Sequence, residues 1–260
     1  MSSGTTAPSA FSNEEAVRLL ELLEGADSVE LKLTVPEPHQ RSTIAALELD
    51  PLEAQIRQVF FFDTPELDLD AHGVVVRAGR TQGKGGDSIV KLRPVTPTDL
   101  PEDLRRSGAF RVEIDALPGG FVCSGKLEGT PDPGDVSRAA KGTLPLRKLF
   151  SEEQRQLYAA HAPQEIELDD LVALGPIFVL ELRFVPAELR RKVEAEMWIY
   201  PDGSRSLELS TRCETNEAFR VAEETRAFLT RRGVDLSGEQ EIRTRKALEY
   251  FARERAAEKS

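Results

Sequence analysis

Residues 28–35 read SVELKLTV, and this stretch indicates how the chain folds. Successive side chains of a β-strand point to opposite faces, so one face here is apolar and the other carries Glu30 and Lys32 together. A carboxylate and an ammonium on one strand face need surroundings that stabilise both charges. Those surroundings are either bulk water or an enclosed site.

The same alternation recurs along the chain. Eight segments rich in β-branched and aromatic residues are predicted to be strands, over 28–35, 56–65, 73–80, 87–95, 109–116, 176–185, 191–200 and 204–212. When each strand is sorted by parity, the following charged residues fall on a single face: Glu30, Lys32, Arg77, Lys91, Arg93, Arg111, Glu113, Asp115, Glu181, Arg183, Arg190, Lys192, Glu194, Glu196, Glu208 and Arg212. The opposite faces are apolar and need covering. The pattern favours an α+β fold with mostly antiparallel strands.

Two interpretations of the charged face are open at this point. Antiparallel sheets often pack helices on an apolar side and leave a polar side in water. This polar side, however, is nearly all Arg, Lys and Glu and almost lacks the Thr, Ser and Gln that are usual on wet strands. If the sheet closes into a barrel with its apolar face outward beneath helices, the charged face lines a lumen. Such a lumen suits a small, highly charged ligand.

The residue types in that face indicate the ligand. Lysine and arginine stabilise phosphate oxygens, and arginine does so through a two-pronged guanidinium. Carboxylates repel phosphate unless a metal ion lies between them, and Mg²⁺ is typically held by one or two carboxylates together with substrate phosphates. The presence of Glu30 and Lys32 on one face of the first strand is explained if Glu30 holds a metal ion and Lys32 holds a phosphate.

Composition narrows the class of protein. The chain has 260 residues, a net charge of -11 and a pI near 5.0, which argues against DNA as a partner. Cys123 and Cys213 have no nearby cysteine, so a reducing cytoplasm is expected rather than a disulfide framework or a zinc site. No apolar run approaches the roughly 18 residues of a spanning helix, and residues 1–15 lack the pattern of a secretion signal. We expect no membrane partner, and the oligomeric state stays open.

The chain also has a predicted domain plan. Residues 1–10 are expected to be a flexible tail, and residues 11–260 a single domain. Over about 117–175 the segments PGG, GTPDPGD and KGTLP interrupt the strand pattern, while 151–162 and 166–174 are predicted helices. We therefore expect a helix-rich insertion there.

In this order of features the chain resembles the CYTH domain of the triphosphate tunnel metalloenzymes, over most of residues 28–250. The most specific match is FFDTPELDLDAHGVVVRAGR (61–80), which looks like the family's aromatic, Asp-Thr-Pro segment before a glycine and an arginine-bearing strand. SIVKLRP (88–94) and FRVEID (110–115) are similar to the strands that follow. RTRKALEYF (243–251) resembles the closing lysine-bearing helix.

Two positions depart from the family pattern. The opening Glu-x-Glu-x-Lys of the family stands here as Ser28, Glu30 and Lys32. A Glu-x-Glu strand near the C-terminal end stands here as Glu208 and Ser210. Each departure removes one carboxylate from a pair credited with metal binding. A degenerate metal site that binds without turnover is therefore an alternative to catalysis.

The resemblance implies a closed, antiparallel, eight-stranded tunnel with helices packed outside, which binds a small triphosphate-containing substrate with Mg²⁺ or Mn²⁺. It implies metal ligands at Glu30 and Glu208, and water-orienting carboxylates at Glu113 and Glu196. The implied phosphate-binding residues are Lys32, Arg77, Lys91, Arg93, Arg111, Arg183, Arg190 and Lys246. Activities in the family include hydrolysis of inorganic triphosphate, thiamine triphosphate and RNA ends, and cyclisation of ATP. Hydrolysis is the leading hypothesis.

Overall fold

A closed barrel is the central element of the protein, which a computed structural model describes over residues 13–238, 240 and 243–258. The predicted tail at residues 1–10 lies outside the described residues. The strands are β1 (Ser28–Val35), β2 (Gln55–Asp63), β3 (Val74–Thr81), β4 (Gly86–Leu92), β5 (Arg111–Leu117), β6 (Gly120–Gly129), β7 (Val172–Phe184), β8 (Val193–Ile199) and β9 (Arg205–Cys213). Their order around the barrel is β1-β5-β6-β4-β3-β2-β7-β8-β9, and β9 returns to β1.

The predicted closed barrel is confirmed, with two differences in detail. The described chain has nine strands rather than eight, and one neighbouring pair, β1 with β5, is parallel. The additional strand is β6, whose three glycines made it look like a break in the pattern. One of them, Gly125, lies against the ring of Phe110, because a Cβ there would come within 2.3 Å of that ring. The glycine thus marks close packing rather than the end of a strand.

Helices cover the outside of the barrel. They are α1 (Asn13–Gly25), α2 (Gln40–Ala46), α3 (Asp68–Ala71), α4 (Glu102–Arg106), α5 (Pro133–Ala140), α6 (Glu152–His161), α7 (Ala218–Arg231) and α8 (Arg243–Glu258). The outward face of β1 shows how they do so. Val29 belongs to the same apolar cluster as Leu19 and Leu22 of α1, whereas Leu33 clusters with Phe228 of α7. The apolar face of the opening stretch therefore points outward beneath two helices, as predicted.

Helix α8 has a different position from the other helices. Its Ala247 and Phe251 are buried in a cluster with Phe61 and Trp198, two side chains that also line the interior of the barrel. Arg243, at the start of the same helix, lines the interior as well. Helix α8 thus forms part of the cavity wall, and the bore is apolar where this helix packs.

The stretch 117–175 contains α5 and α6, and it also contributes β6 to the barrel. The predicted helix at 151–162 is confirmed as α6, which begins at a capping box formed by Ser151 and Gln154. The predicted helix at 166–174 is wrong, because Val172 opens β7 and pairs with Asp63. No helix within the described ranges has the length and apolar character needed to cross a membrane.

Candidate functional site

The interior of the barrel holds a cavity of about 540 Å³ with a strongly charged wall. Ten lysine and arginine side chains and six glutamates line it, in a chain whose net charge is -11. The bore is therefore a local concentration of positive charge inside an acidic protein. Strand parity produces this arrangement, because residues on alternate positions of each strand face inward.

One group of side chains, here called the Asp115 cluster, consists of Asp115, Lys32, Lys91 and Arg93. The Asp115 carboxylate is fully buried and lies 2.9 Å from Lys32 Nζ, 3.3 Å from Lys91 Nζ and 3.4 Å from Arg93 Nη2. Burial raises the pKa of Asp115, but the three cations lower it by more, so its pKa lies well below the ordinary value. A single carboxylate thus holds three cations together in the bore.

The two lysines of this cluster differ in protonation. Burial lowers the pKa of Lys32, but the carboxylates of Asp115 and Glu30 raise it by more, so its pKa lies above the ordinary value. Burial lowers the pKa of Lys91 to about 8, because Asp115 offsets only part of the effect and Lys32 and Arg93 add repulsion. Lys32 is a permanent cation, whereas Lys91 titrates close to neutral pH.

Glu30, the carboxylate of the opening pair, joins this cluster to β9. Its Oε2 lies 3.1 Å from Lys32 Nζ, and Ser210 Oγ donates a hydrogen bond of 3.2 Å to its Oε1. The strand register places Lys32 opposite Ser210 and Glu30 beside Asp115. Ser210, one of the two departures from the family pattern, therefore faces the bore as a hydrogen-bond donor. The other departure, Ser28, pairs with Glu113 in the register of β1 and β5.

Glu113 is buried at 3% exposure, yet it contacts a residue at the open side of the cavity. Its Oε2 lies 2.5 Å from Arg212 Nη2, and its Oε1 lies 3.7 Å from Lys126 Nζ. The Arg212 side chain is 54% exposed. A ligand that enters the cavity can therefore compete for the partner of Glu113.

A second group, here called the Arg243 cluster, consists of Arg243, Glu196, Glu208 and Trp198. The guanidinium of Arg243 donates to both glutamates and lies over the Trp198 ring, 4.8 Å from its centroid. Trp198 Nε1 donates a hydrogen bond of 3.1 Å to Glu196. Arg243 on α8 is hydrogen-bonded to Glu196 on β8 and to Glu208 on β9, so three elements fix the geometry of this cluster.

Burial and ion pairing shift the pKa values of Glu196 and Glu208 in opposite directions. Burial raises the pKa of Glu196, but Arg243 and the Trp198 N–H lower it by more, to about 2. Burial raises the pKa of Glu208, and the pull of Arg243 and Lys32 does not cancel that effect. Burial lowers the pKa of Arg243, but Glu196 and Glu208 raise it by more, so Arg243 remains charged. Glu196 is therefore ionised at neutral pH.

Arg57 on β2 links the Arg243 cluster to a further acidic region. Its guanidinium lies 2.8 Å from both Glu181 and Asp87, and 3.9 Å from Glu196. Glu194, next along β8, has its pKa raised by burial and by repulsion from Glu196 and Glu181. Arg183 contacts both Glu181 and Glu194, so the carboxylates on this side of the bore also have cationic partners.

Two groups of carboxylates in the described chain have the composition of a divalent metal site. Oxygens of Glu30, Glu113 and Asp115 lie within 4.8 Å of one another, and so do oxygens of Glu181, Glu194 and Glu196. Mg²⁺ and Mn²⁺ prefer oxygen ligands, so the donor chemistry fits these ions. Glu208, the other predicted metal ligand, belongs to neither group, and its carboxylate is paired with Arg243.

The structure brings most of the predicted site residues together. The cavity wall includes Glu30, Lys32, Arg77, Lys91, Arg93, Glu113, Arg183, Glu196 and Glu208. Three predicted cations lie elsewhere among the described residues. Arg111 is exposed at the start of β5, Arg190 is exposed with a left-handed φ of 51°, and Lys246 Nζ lies 5.8 Å from the centre of the Tyr200 ring.

Three cations of the cavity wall were not predicted from the sequence. Arg57 precedes Val59 and Phe61 on the same strand face, so parity alone made that face look apolar. Lys126 lies on β6, the strand that was not predicted. Arg243 lies in the predicted closing helix, three residues before the lysine chosen there. Arg243 and Lys246 are less than one helical turn apart, so spacing along the sequence could not show which of the two side chains reaches the bore.

Comparison with known proteins shows the fold. The chain is similar to a candidate adenylyl cyclase from Hippeastrum with a dominant triphosphatase activity, at a TM-score of 0.61 and 18% identity over 82% of this chain and 91% of that one. It is also similar to a candidate adenylate cyclase from Bacillus halodurans, at a TM-score of 0.59 and 12% identity over 85% of this chain and 97% of that one. No protein-family model and no curated protein sequence matches the chain. Together with the closed barrel and its charged bore, these similarities show that the chain has the tunnel fold of the CYTH domain.

Proposed function

We propose that this protein is a metal-dependent phosphohydrolase that acts on a small triphosphate-containing molecule bound in the bore. The observation that carries the proposal is the wall of ten basic side chains around a cavity of about 540 Å³. A triphosphate needs several cations at once, and such a set is seldom collected in the interior of an acidic protein. The triphosphatase activity of the similar Hippeastrum protein supports the choice of reaction.

The Asp115 cluster is the proposed phosphate-binding region. A lysine ammonium has three donors, so Lys32 and Lys91 keep donors for phosphate oxygens while they contact Asp115. Arg77 lies on the neighbouring strand β3, only 3.7 Å from Asp87, and also lines the cavity. These cations stabilise the negative charge that spreads over the phosphate oxygens as a phosphoryl group transfers.

Mg²⁺ or Mn²⁺ would be held by Glu30, Glu113 and Asp115, the carboxylates next to those cations. When bound, the ion neutralises phosphate charge and lets carboxylates and phosphates share the bore. Ser210 keeps a role in this arrangement, because its hydroxyl orients Glu30 through the 3.2 Å hydrogen bond. Glu30 is therefore held in place although the second carboxylate of the family pattern is absent.

Glu196 is the proposed acceptor that orients the attacking water, with Glu113 as the other candidate. Its pKa of about 2 keeps it ionised, so it accepts a hydrogen bond at neutral pH. Arg243 and Trp198 Nε1 both donate to Glu196 and hold its carboxylate towards the bore. Orientation of water, rather than strong general-base catalysis, suits a group with so low a pKa.

Release of phosphate from inorganic triphosphate tests the function. We expect release with Mg²⁺ or Mn²⁺, no release with chelator, and loss of release in Lys32→Ala. Arg106→Ala is the matched control, because Arg106 is 75% exposed on α4 and pairs with Glu102 outside the barrel. Binding of triphosphate without release under any metal would contradict the proposal.

A binding protein without turnover is the second candidate, and Ser210 is the observation that favours it. This residue offers a hydroxyl where the family pattern has a carboxylate, so the group on β9 that hydrogen-bonds to Glu30 is a neutral donor rather than a second carboxylate. The candidate predicts tight triphosphate binding in the assay above with no release. Chromatography of the products formed from ATP tests the remaining alternative, cyclisation to cyclic AMP, in the same samples.

A further inference from the structure

Three neighbouring strands place cations directly opposite one another on the inner face of the barrel. The register pairs Lys91 on β4 with Lys126 on β6, and it pairs Lys126 in turn with Arg111 on β5. Like charges that face each other across paired strands destabilise a sheet unless they are compensated. These three residues are here called the cation row. Repulsion is built into the strand pairing along this row.

The cation row runs from the interior of the bore to the end of the barrel where β5 begins. Lys91 and Lys126 line the cavity, with side chains that are 17% and 13% exposed. Arg111 is the first residue of β5 and is exposed. Strands in a barrel tilt, so a row of paired residues crosses them obliquely and changes level along the barrel axis. Over three strands the row spans two strand spacings, about 10 Å.

The carboxylates beside the cation row compensate it only in part. Its inner lysine shares one carboxylate with the two other cations of the Asp115 cluster. Lys126 Nζ lies 2.9 Å from Glu128, whose side chain is 58% exposed, and 3.7 Å from Glu113. Arg111 has no carboxylate partner among the residues that the structure describes. The row therefore keeps an uncompensated positive charge at its outer end.

An anion that carries its charges along a chain matches this arrangement. The Asp115 cluster is the proposed site for a triphosphate, and the cation row begins there at Lys91. Further phosphates of a longer chain would meet Lys126 and then Arg111, whose side chains have more donors than the contacts they make here. The cavity of about 540 Å³ lies in the range of roughly 300–1,000 Å³ that holds drug-sized ligands, which are larger than inorganic triphosphate.

An RNA with a 5′ triphosphate also carries a chain of phosphates, but the surroundings favour the inorganic chain. Recognition of single-stranded nucleic acid relies on bases that stack on accessible aromatic rings. Phe110, which precedes the outer end of the row, is buried, and so are the Phe61 and Trp198 rings of the bore. These rings are closed to a base, whereas phosphate finds donors along the row.

We propose that the bore also binds linear inorganic polyphosphate longer than triphosphate, with the additional phosphates held along the cation row. The inference rests on the phosphate site of the proposed function but not on turnover. A triphosphate at the Asp115 cluster does not reach Arg111, so this arginine is the residue that distinguishes ligands by chain length.

Calorimetry in chelator, at one ionic strength, compares triphosphate with a longer linear polyphosphate of defined length. We expect wild type to bind the longer chain roughly tenfold more tightly, which is the effect of one charge-assisted hydrogen bond. Arg111→Gln should lose most of this gain. Arg111→Lys should keep part of it, because the charge persists without the two-pronged contact.

Arg205→Gln is the matched control. Arg205 is also an exposed arginine that opens a strand, but it lies on the same face of β9 as Leu207 and Leu209, which pack beneath the outer helices. Its removal should leave the gain from chain length unchanged. Exposed substitutions of this kind should also leave the urea midpoint unchanged, which separates binding from folding.

Equal affinity of wild type for the two ligands, or a gain that survives in Arg111→Gln, would overturn the proposal. A single-stranded RNA with a 5′ triphosphate is the third ligand. If its gain over triphosphate equals that of polyphosphate and is lost in Arg111→Gln, the choice of an inorganic chain is wrong. Absence of phosphate release from triphosphate would overturn only the proposed function, because these affinities are measured without turnover.

Discussion

The Asp115 cluster and the Arg243 cluster stabilise buried charge with opposite ratios of cations to carboxylates. In the first, one carboxylate contacts three cations, whereas in the second one guanidinium contacts two carboxylates. The first cluster keeps repulsion among its cations, which an incoming anion relieves. In the second, the Arg243 guanidinium bridges both carboxylates, and the Trp198 N–H is a further donor to Glu196. The comparison supports phosphate binding at the Asp115 cluster, whereas the Arg243 cluster is a fixed part of the cavity wall.

The largest expected effect follows from removal of the shared carboxylate in Asp115→Asn. This change leaves Lys32, Lys91 and Arg93 buried without their common partner, and breaking a buried ion pair in this way costs about 3–5 kcal/mol of the free energy of unfolding. Urea unfolding measures the loss. Added inorganic triphosphate should stabilise the variant more than wild type, because the polyanion replaces the missing negative charge.

Asp135→Asn is the control for that experiment. Asp135 lies on α5, outside the barrel, and pairs with Arg138 three residues along the same helix. Its removal should leave the urea midpoint nearly unchanged. Equal stability of Asp115→Asn and Asp135→Asn would show that the three cations of the Asp115 cluster do not depend on their carboxylate.

Loss of one cation should have a smaller effect, and on affinity rather than on folding. Lys32→Ala removes a permanent cation from the bore, and a hydrogen bond to a charged group contributes about 1.5–3 kcal/mol. Triphosphate affinity should fall roughly ten- to a hundredfold, measured by calorimetry in chelator so that metal does not contribute. Lys141→Ala, an exposed lysine after α5, should bind as wild type does. Unchanged binding by Lys32→Ala would place phosphate outside the Asp115 cluster.

The two clusters also differ in how far the sequence predicted them. Strand parity placed Lys32, Lys91 and Asp115 on one face, because a two-residue period is a local property of each strand. The Arg243 cluster brings together β8, β9 and the first turn of α8. Which residue of that helix reaches the bore depends on how its apolar face packs against Phe61 and Trp198. Packing of that kind is a tertiary property, and neither spacing nor parity contains it.

The same reasoning explains the strand that was not predicted. Glycines in β6 allow the Phe110 ring and the Gln154 side chain to approach the backbone, since a Cβ at Gly129 would lie 2.6 Å from Gln154 Oε1. Gln154 in turn donates to the backbone carbonyls of Ser88 and Leu127. A local pattern shows only the glycines, whereas their partners come from distant segments. Lys126, and with it one cation of the bore, was hidden for that reason.

The smallest expected effect concerns pH and distinguishes the two lysines of the Asp115 cluster. Because the pKa of Lys91 is about 8, this residue loses its proton as pH rises through that value, whereas Lys32 stays charged. Only the protonated form attracts phosphate, so the Lys91 contribution to triphosphate affinity should fall between pH 8 and pH 9, by up to about tenfold. The ligand also loses protons in this range, so the informative quantity is the ratio to Lys91→Arg, in which the cation persists at both values. A ratio that does not change with pH would mean that Lys91 is as permanently charged as Lys32.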